Sequence, residues 1–401
     1  MKLPLSPRSI GIVALGVTSL LAAAGCTSST GGRTLGEQSQ SGPGALETAQ
    51  SDDYSQLPER TVDPDAAQYW DQLSPLEQAA SVLMLHYPGT DVSQIKTFVD
   101  DIRPAGLILM SDNVPDPESG LAQSVAQWGQ VGGLPLLVAI DQEGGLVSRL
   151  ADDPGESPED LRDQDPAQTE ASFHARGEYL KSLGINTNFG IVADTTADEN
   201  AAIWPRVLGT TPEAAAERVS AAVAGENGEV FSTLKHFPGH GLIEEDSHFT
   251  VPVGSIDPDQ WAQTAALPFA AGIDAGAEMV MVGHLLFPEI APEPASLSAR
   301  WNQILRQQLG FDGIIVTDDL KMLRDSGEAQ FADPVANAVA ALNAGATLVL
   351  DIDGDTGPAA TAFAHELVNG IAAAVQDGSL PHQQLREAGI RLTELRSSLA
   401  E

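Results

Sequence analysis

Reactive side chains of several kinds are concentrated in one short part of this chain. Residues 235–241 read KHFPGHG, and residues 246–248 read DSH. Three of the eight histidines therefore lie close together, beside a lysine and an aspartate. The segment combines a cation, groups that transfer protons and a glycine-rich backbone. It predicts a site that binds a polar substrate and moves protons.

Short apolar runs alternate with helical patterns, and they predict the elements that position this segment. We predict eight strands, at residues 81–86, 106–110, 136–140, 185–192, 230–234, 278–282, 313–317 and 347–350. The clearest helices are predicted at 213–224 and 334–344, and the sequence SPLE at 74–77 is typical of a helix start. This alternation predicts an α/β fold, a (β/α)8 TIM barrel, with a doubly wound sheet as the alternative.

Polar residues follow most of these strands, where barrel enzymes carry their chemistry. They are the segment DQE at 141–143 after the third strand, Asp194 after the fourth, Lys235 and His236 after the fifth, His284 after the sixth, Asp318 and Asp319 after the seventh, and Asp351 and Asp353 after the eighth. Because carboxyl ends of barrel strands share one rim, these groups predict a single cleft.

The charge of the chain excludes one class of partner. Lys and Arg number 20 against 56 Asp and Glu, which gives a formal net charge of −36. Such a surface repels nucleic acid and anionic lipid headgroups, so we expect no nucleic-acid partner. The acidic residues are spread along the chain, which is typical of a solvated surface.

The N-terminus has the pattern of an export signal. A short basic region precedes the apolar residues 10–24, and the sequence LLAAAGC ends at Cys26, the only cysteine. This end resembles a bacterial lipobox, although Ala23 replaces the usual leucine. We predict a lipoprotein signal peptide at 1–25, a disordered tether with lipidated Cys26 at 26–65, and one folded domain at 66–401. A plain signal peptide is the alternative, and either version is exported.

The motifs together resemble those of a known enzyme family. KHFPGHG and DSH resemble the signature of glycoside hydrolase family 3 β-N-acetylglucosaminidases. DQEGG at 141–145, PASLS at 294–298 and FDGIIVTDDL at 311–320 also match, so the resemblance covers about residues 75–355. It implies a single catalytic (β/α)8 domain at 66–401. It also implies a retaining exo-β-N-acetylglucosaminidase that removes terminal N-acetylglucosamine from peptidoglycan fragments in cell-wall turnover or recycling.

The resemblance implies the catalytic groups. Asp318 is the expected nucleophile, because a retaining glycosidase needs an ionised carboxylate against the anomeric carbon. The neighbouring Asp319 is expected to cap the next helix. His248 is the implied acid/base, oriented by Asp246, and an imidazole suits both proton transfers near neutral pH. Without KHFPGHG before it, the DSH segment would be read as a surface turn.

The resemblance also implies a set of substrate-binding side chains. Arg149 is one of these side chains, and the alternative is that it is a surface arginine with no part in binding. His240 is expected to hydrogen-bond within its loop. His284 is expected either to line the cleft floor or to touch substrate. The implied sugar-binding residues are Asp141, Arg149, Arg206, Lys235 and His236.

Two patterns that imitate metal sites are rejected. His236 and His240 are four residues apart, but Pro238 and Gly239 between them prevent a shared helical face. DIDGD at 351–355 imitates a calcium loop, yet the positions for its glycine and glutamate are occupied by Thr356 and Ala362. We therefore expect no metal and no cofactor.

Two departures from the family pattern, at residues 188–194 and 321–325, affect the predicted pocket wall and hence the preferred leaving group.

The expected substrates are muropeptides that contain N-acetylglucosamine, or other β-N-acetylglucosaminides. Membrane contact is expected only through the lipid anchor, on the outer face of the bacterial cell membrane. The sequence does not define an oligomeric state, and we expect a monomer.

Two other functions remain open. One is a phosphorylase, in which phosphate replaces water as the acceptor, and a neutral histidine permits this. The other is a sugar-binding lipoprotein that lacks turnover. A β-glucosidase is disfavoured, because such relatives commonly place a carboxylate acid/base on a second domain.

Overall fold

The computed structural model describes residues 60–400. The predicted signal peptide, Cys26 and most of the predicted tether lie outside these residues. Between residues 60 and 400, no helix is both long enough and apolar enough to cross a bilayer. The first helix, α1, begins at Pro64, two residues before the boundary predicted at 66. Asp63 caps this helix by accepting a hydrogen bond of 2.8 Å from the backbone N–H of Asp65.

Each of the eight predicted strands is present in one parallel sheet. The fifth strand, β5 (Phe231–Phe237), extends three residues beyond its predicted end, so Lys235 and His236 lie inside it. The prediction that they follow the strand was therefore wrong, because pairing with both neighbouring strands continues past the apolar run. The strands are β1 (Leu83–Leu85), β2 (Gly106–Leu109), β3 (Leu137–Ile140), β4 (Thr187–Val192), β5 (Phe231–Phe237), β6 (Met279–Val282), β7 (Ile314–Thr317) and β8 (Val349–Asp351).

The sheet closes on itself. Its order is β8-β1-β2-β3-β4-β5-β6-β7, and a parallel bridge between Val316 and Leu348 joins the two ends. The backbone N–H of Thr317 donates to the carbonyl of Leu348 at 3.1 Å. The fold is therefore a (β/α)8 barrel, and the alternative of a doubly wound sheet is wrong. A small antiparallel hairpin, Gln130–Val131 with Leu134–Pro135, lies before β3.

Helices surround the barrel, and several begin as the sequence predicts. The predicted helix start at 74–77 is confirmed, because Ser74 and Glu77 form a capping box. The helices predicted at 213–224 and 334–344 correspond to α7 (Pro212–Glu226) and α12 (Pro334–Ala344). The α-helices are α1 (Pro64–Asp71), α2 (Pro75–Ala80), α3 (Val92–Ile102), α4 (Leu121–Trp128), α5 (Pro158–Leu161), α6 (Pro166–Ser182), α7 (Pro212–Glu226), α8 (Pro258–Gln263), α9 (Ala266–Asp274), α10 (Ala299–Gln303), α11 (Leu320–Asp325), α12 (Pro334–Ala344), α13 (Pro358–Asp377) and α14 (His382–Ser398).

An aromatic cluster packs against the end of β5 and supports the chain that leaves it. Phe237 contacts Trp261, Phe269 and Trp301 edge to face, with ring centroids 5.3–5.8 Å apart. The indole N–H of Trp261 donates to the carbonyl of Pro238 at 2.9 Å. Because aromatic packing and a buried hydrogen bond act on consecutive residues, the KHFPGHG segment leaves the barrel in a fixed direction.

Candidate active site

A cleft opens at the carboxyl ends of the strands. The predicted binding residues and the predicted catalytic residues come from four different parts of the chain. The structure brings all of them to this one cleft, as the barrel topology predicts. The predicted residues that line it are Asp141, Arg149, Arg206, Lys235, His236, Asp246, His248 and Asp318.

Lys235 lies at the centre of a partly buried charge cluster, which we define as Asp141, Glu143, Arg149, Arg206 and Lys235. Its Nζ lies 2.9 Å from Asp141 Oδ1 and 2.7 Å from Glu143 Oε1. Only 3% of this side chain is exposed. Burial lowers the pKa of Lys235, but the two carboxylates outweigh it and raise the pKa above its usual value. The ammonium therefore stays charged and directed into the cleft.

Glu143 is a member of the cluster to which the sequence assigns no role. Arg206 donates to it twice, from Nε at 2.9 Å and from Nη2 at 2.7 Å. Burial raises the pKa of this carboxyl, but Lys235 and Arg206 overcome that effect and lower it to about 2. The sequence signal for including Glu143 was its position two residues after Asp141, because alternate residues of an extended chain face the same side.

Asp141 connects the cluster to a second arginine. Arg149 donates from Nη2 to Asp141 Oδ2 at 3.1 Å. The pKa of Asp141 is lowered, because Lys235 and Arg149 together outweigh the effect of burial. Arg149 therefore lines the cleft beside Asp141, and its role in binding the sugar stays a prediction.

His236 is oriented from both sides of its ring. Its Nδ1 lies 2.7 Å from Asp194 Oδ2, and its Nε2 lies 3.1 Å from Arg206 Nη2. Because arginine can only donate, Nε2 must accept, and the ring proton lies on Nδ1 toward Asp194. Asp194 also accepts hydrogen bonds from the backbone N–H groups of His236 at 3.1 Å and His240 at 2.5 Å. Asp194 therefore orients the ring and fixes the end of β5.

Asp318 follows β7 directly and is ionised. Its Oδ1 accepts a hydrogen bond of 2.8 Å from the backbone N–H of Asp319. Burial raises the pKa of Asp318, but the electrostatic influence of His236 and His284, this N–H and Lys235 together lower it below its ordinary value. A carboxylate in this state is the form that attacks as a nucleophile.

Asp319 has a different task, as predicted. Its Oδ1 accepts from the backbone N–H of Lys321 at 3.0 Å and of Ile352 at 2.8 Å, so it caps α11 and ties β7 to the end of β8. The prediction that Asp319 is the capping residue is confirmed. Burial and the neighbouring Asp351 raise the pKa of Asp319 to about 7.

His284 supports the backbone beside Asp318 and is only 1% exposed. It does not line the cleft, so the expectation that it forms the floor or touches substrate was wrong. Its Nε2 lies 2.8 Å from the carbonyl of Asp319, and its Nδ1 lies 2.7 Å from Ser296 Oγ. Because a carbonyl only accepts, Nε2 carries the proton and Nδ1 accepts from the hydroxyl.

Asp246 and His248 form a pair on a loop at residues 243–252, which we call the dyad loop. Asp246 Oδ1 lies 2.7 Å from His248 Nδ1 and accepts from the backbone N–H of His248 at 3.0 Å. Burial raises the pKa of Asp246, but these two hydrogen bonds lower it further than burial raises it. The carboxylate holds the ring proton on Nδ1, which leaves His248 Nε2 available for proton transfer.

His240 holds the middle of the dyad loop. It is buried, and its Nε2 lies 3.1 Å from the hydroxyl of Ser247, between the two members of the pair. The expectation that His240 serves hydrogen bonding within the loop is confirmed. Burial lowers the pKa of His240, so it remains neutral.

Known proteins resemble this chain in sequence and in fold. The family model described as "Glycosyl hydrolase family 3 N terminal domain" matches residues 76–395. A protein named Beta-hexosaminidase from Methylobacillus flagellatus is 34% identical over 288 residues, which cover 67% of this chain and 79% of that protein. Another of the same name, from Xanthomonas campestris, is 34% identical over 282 residues, with coverage of 67% and 83%.

Two solved structures show the same architecture. One is a glycoside hydrolase family 3 β-N-acetylglucosaminidase from a Paenibacillus species, 29% identical, with a TM-score of 0.75. The match covers 82% of this chain and 64% of that one, so the chain spans less than two thirds of its length. The other is a β-N-acetylhexosaminidase from Beutenbergia cavernae, 28% identical, with a TM-score of 0.70 and coverage of 81% and 99%.

Fold, cleft and relatives together define the class of this protein as a glycoside hydrolase. The chain belongs to glycosyl hydrolase family 3, whose N-terminal domain it matches over most of its length.

Proposed function

We propose that the protein is a retaining exo-β-N-acetylglucosaminidase. One observation carries this proposal: the ionised, partly buried Asp318 lines the same cleft as a fixed charge cluster and a solvent-facing histidine–aspartate pair. The names of the relatives, Beta-hexosaminidase and β-N-acetylglucosaminidase, support N-acetylhexosamine as the sugar. The charge cluster offers donors and acceptors to the sugar hydroxyls.

The first chemical step forms a covalent intermediate. The carboxylate of Asp318 attacks the anomeric carbon of the bound terminal sugar. His248, protonated at Nε2, gives that proton to the glycosidic oxygen, so the bond breaks and the aglycone leaves as an alcohol. The sugar is then an ester of Asp318, and His248 is neutral.

The second step releases the sugar. Neutral His248 removes a proton from water, whose oxygen attacks the anomeric carbon and displaces the Asp318 carboxylate. Two inversions give net retention of configuration. Asp246 stabilises the imidazolium whenever His248 is charged, and it keeps the ring in the tautomer that presents Nε2.

The proposed setting is outside the cell. The lipobox-like end at Cys26 supports an exported protein anchored by lipid to the outer face of the membrane, with muropeptide fragments as substrates. Replacement of Cys26 by Ala should move the protein from the detergent phase to the aqueous phase in a partition experiment. Wild-type protein that stays in the aqueous phase would overturn the anchor.

Hydrolysis of an aryl β-N-acetylglucosaminide by the purified protein tests the activity. We expect release of the aryl alcohol without phosphate, β-N-acetylglucosamine as the first product by NMR, and loss of activity in Asp318→Ala and His248→Ala. Sugar 1-phosphate formed only when phosphate is present would identify a phosphorylase instead. Measurable binding of N-acetylglucosamine without any turnover would identify a binding lipoprotein.

A further inference from the structure

Gln142 lies between two members of the charge cluster, Asp141 and Glu143, but it does not line the cleft. Its side chain is fully buried and makes five hydrogen bonds to the loop at residues 148–153. Oε1 accepts from the backbone N–H groups of Arg149 at 2.9 Å and Leu150 at 3.0 Å. The two N–H groups of Nε2 are shared among three acceptors, Ser148 Oγ, the carbonyl of Leu150 and Asp153 Oδ2, at 2.6–3.3 Å. Gln142 therefore fixes the segment that carries Arg149.

The backbone of Gln142 is held in turn by one side chain, that of Asn188. The pairing between β3 and β4 ends at Ile140 and Asn188. The side-chain amide of Asn188 continues it: Oδ1 accepts from Gln142 N–H at 3.2 Å, and Nδ2 donates to the Gln142 carbonyl at 3.1 Å. The amide thus replaces a strand neighbour where the sheet has begun to separate.

The geometry of β4 leaves room for this arrangement. The register between β4 and β5 shifts between Asn188 and Ile191, so β4 bends there. A Cβ at Gly190 would lie 2.2 Å from Asn188 Nδ2 and 2.7 Å from the Gln142 carbonyl. Only glycine at position 190 allows the amide to reach Gln142.

Glu226, at the end of α7, sets the orientation of that amide. Its Oε1 accepts the second N–H of Asn188 Nδ2 at 2.6 Å. Asn188 and Glu226 are both fully buried. Because Oε1 accepts this N–H, it holds the amide against rotation by half a turn, which would break this contact and both contacts with Gln142.

We propose that Asn188 is a positioning residue for sugar binding, and that Glu226 orients it. Through Gln142 it sets the places of three members of the charge cluster, Asp141, Glu143 and Arg149. The assignment of these three residues to the sugar rests on the proposed function. Asn188 touches no substrate itself, and its effect is on the affinity for the sugar.

The Asn188→Leu variant tests this inference, with Asn337→Leu as its matched control. Asn337 is equally buried and donates to the carbonyl of Phe331, away from the cleft. For Asn188→Leu we expect KM for the aryl glycoside and Kd for N-acetylglucosamine to rise about tenfold or more, with kcat changed less than KM. Asn337→Leu should lower the thermal stability to a similar extent and leave KM and Kd unchanged.

A second pair of variants keeps the test valid if Asn188→Leu fails to fold. Glu226→Gln retains the acceptor and should keep both KM and Kd. Glu226→Met removes it at similar volume and should raise both constants severalfold. Unchanged KM and Kd in Asn188→Leu and Glu226→Met, at reduced stability, would overturn the inference. Absent turnover in the wild type would overturn the proposed function alone, because calorimetric binding of N-acetylglucosamine still reports on the positioning.

Discussion

The charge cluster and the dyad loop share one cleft but are built in opposite ways. The side chain of Lys235 is 3% exposed, whereas that of His248 is 62% exposed. Members of the cluster contact partners from separate strand ends, so barrel closure fixes their distances. His248 pairs with a residue two positions away on its own loop. The groups for binding are preorganised, whereas the acid/base group depends on the position of a loop.

The dyad loop is also held in place differently from the charge cluster. His240 holds Ser247 at the middle of the loop, and a bridge from Val253 to Leu286 fixes the chain just beyond its end. Between these points the loop contains no helix or strand. Changes in the cluster should therefore cost both binding and stability, while changes in the loop should cost catalysis alone.

The largest expected effect is at Asp318. Replacement by Asn keeps the shape and removes the nucleophile, so kcat should fall by about 10⁴-fold or more. Steady-state hydrolysis of the aryl glycoside measures this. Residual activity within tenfold of wild type would assign the nucleophile to another carboxylate.

His248→Ala should lower kcat by about 10²–10⁴-fold through loss of proton transfer. Because the side chain is largely exposed, the melting temperature should not change. An aglycone that leaves without protonation should reduce the loss in the first step. A clear drop in melting temperature would contradict the contrast between loop and cluster.

Lys235→Met should weaken both binding and folding. It leaves the partly buried carboxylate of Asp141 and the buried carboxylate of Glu143 without their shared cation, a change that costs about 3–5 kcal/mol in buried pairs. Urea unfolding measures the loss, with the exposed Lys96→Met as its control. An unchanged free energy of unfolding would show that the two arginines suffice.

Glu226→Gln should flatten the pH dependence of stability. Burial raises the pKa of Glu226 from 4.5 to about 8. Between these values the unfolded chain releases a proton that the folded protein keeps, so wild-type stability should fall as pH rises from about 4.5 to 8. Unfolding of both proteins at pH 5 and pH 8 should show a difference that grows with pH, by up to a few kcal/mol. A constant difference would place the pKa near its ordinary value.

The smallest effect is expected at Leu146, an exposed leucine that lines the cleft. Leu146→Ser should raise KM for an apolar aryl aglycone by a few-fold, since roughly one apolar contact is lost. KM for a hydrophilic aglycone should not change, and neither should the melting temperature. Equal effects on both substrates would place Leu146 at the sugar rather than at the aglycone.

The sequence predicts the barrel well because its strands are short apolar runs bounded by helical patterns. It also places Asp318, Lys235 and Asp141 in one cleft, since barrel strands all end at the same rim. The ion pairs of Glu143 are not visible in the sequence, because its partners Lys235 and Arg206 are distant along the chain. The contact between Asn188 and Glu226 is hidden for the same reason: it joins a strand to a helix across the barrel wall.

Closure of the barrel imposes an order on its folding. β1 pairs with β8, so the first and last strands of the sheet lie side by side. The ring cannot be completed until almost the whole chain is available, and contacts of such long sequence separation form slowly. A chain that emerges N-terminus first must therefore keep β1 without one of its two neighbours until β8 arrives. For that interval a free strand edge is exposed to other chains, which makes the growing barrel most vulnerable to aggregation just before it closes.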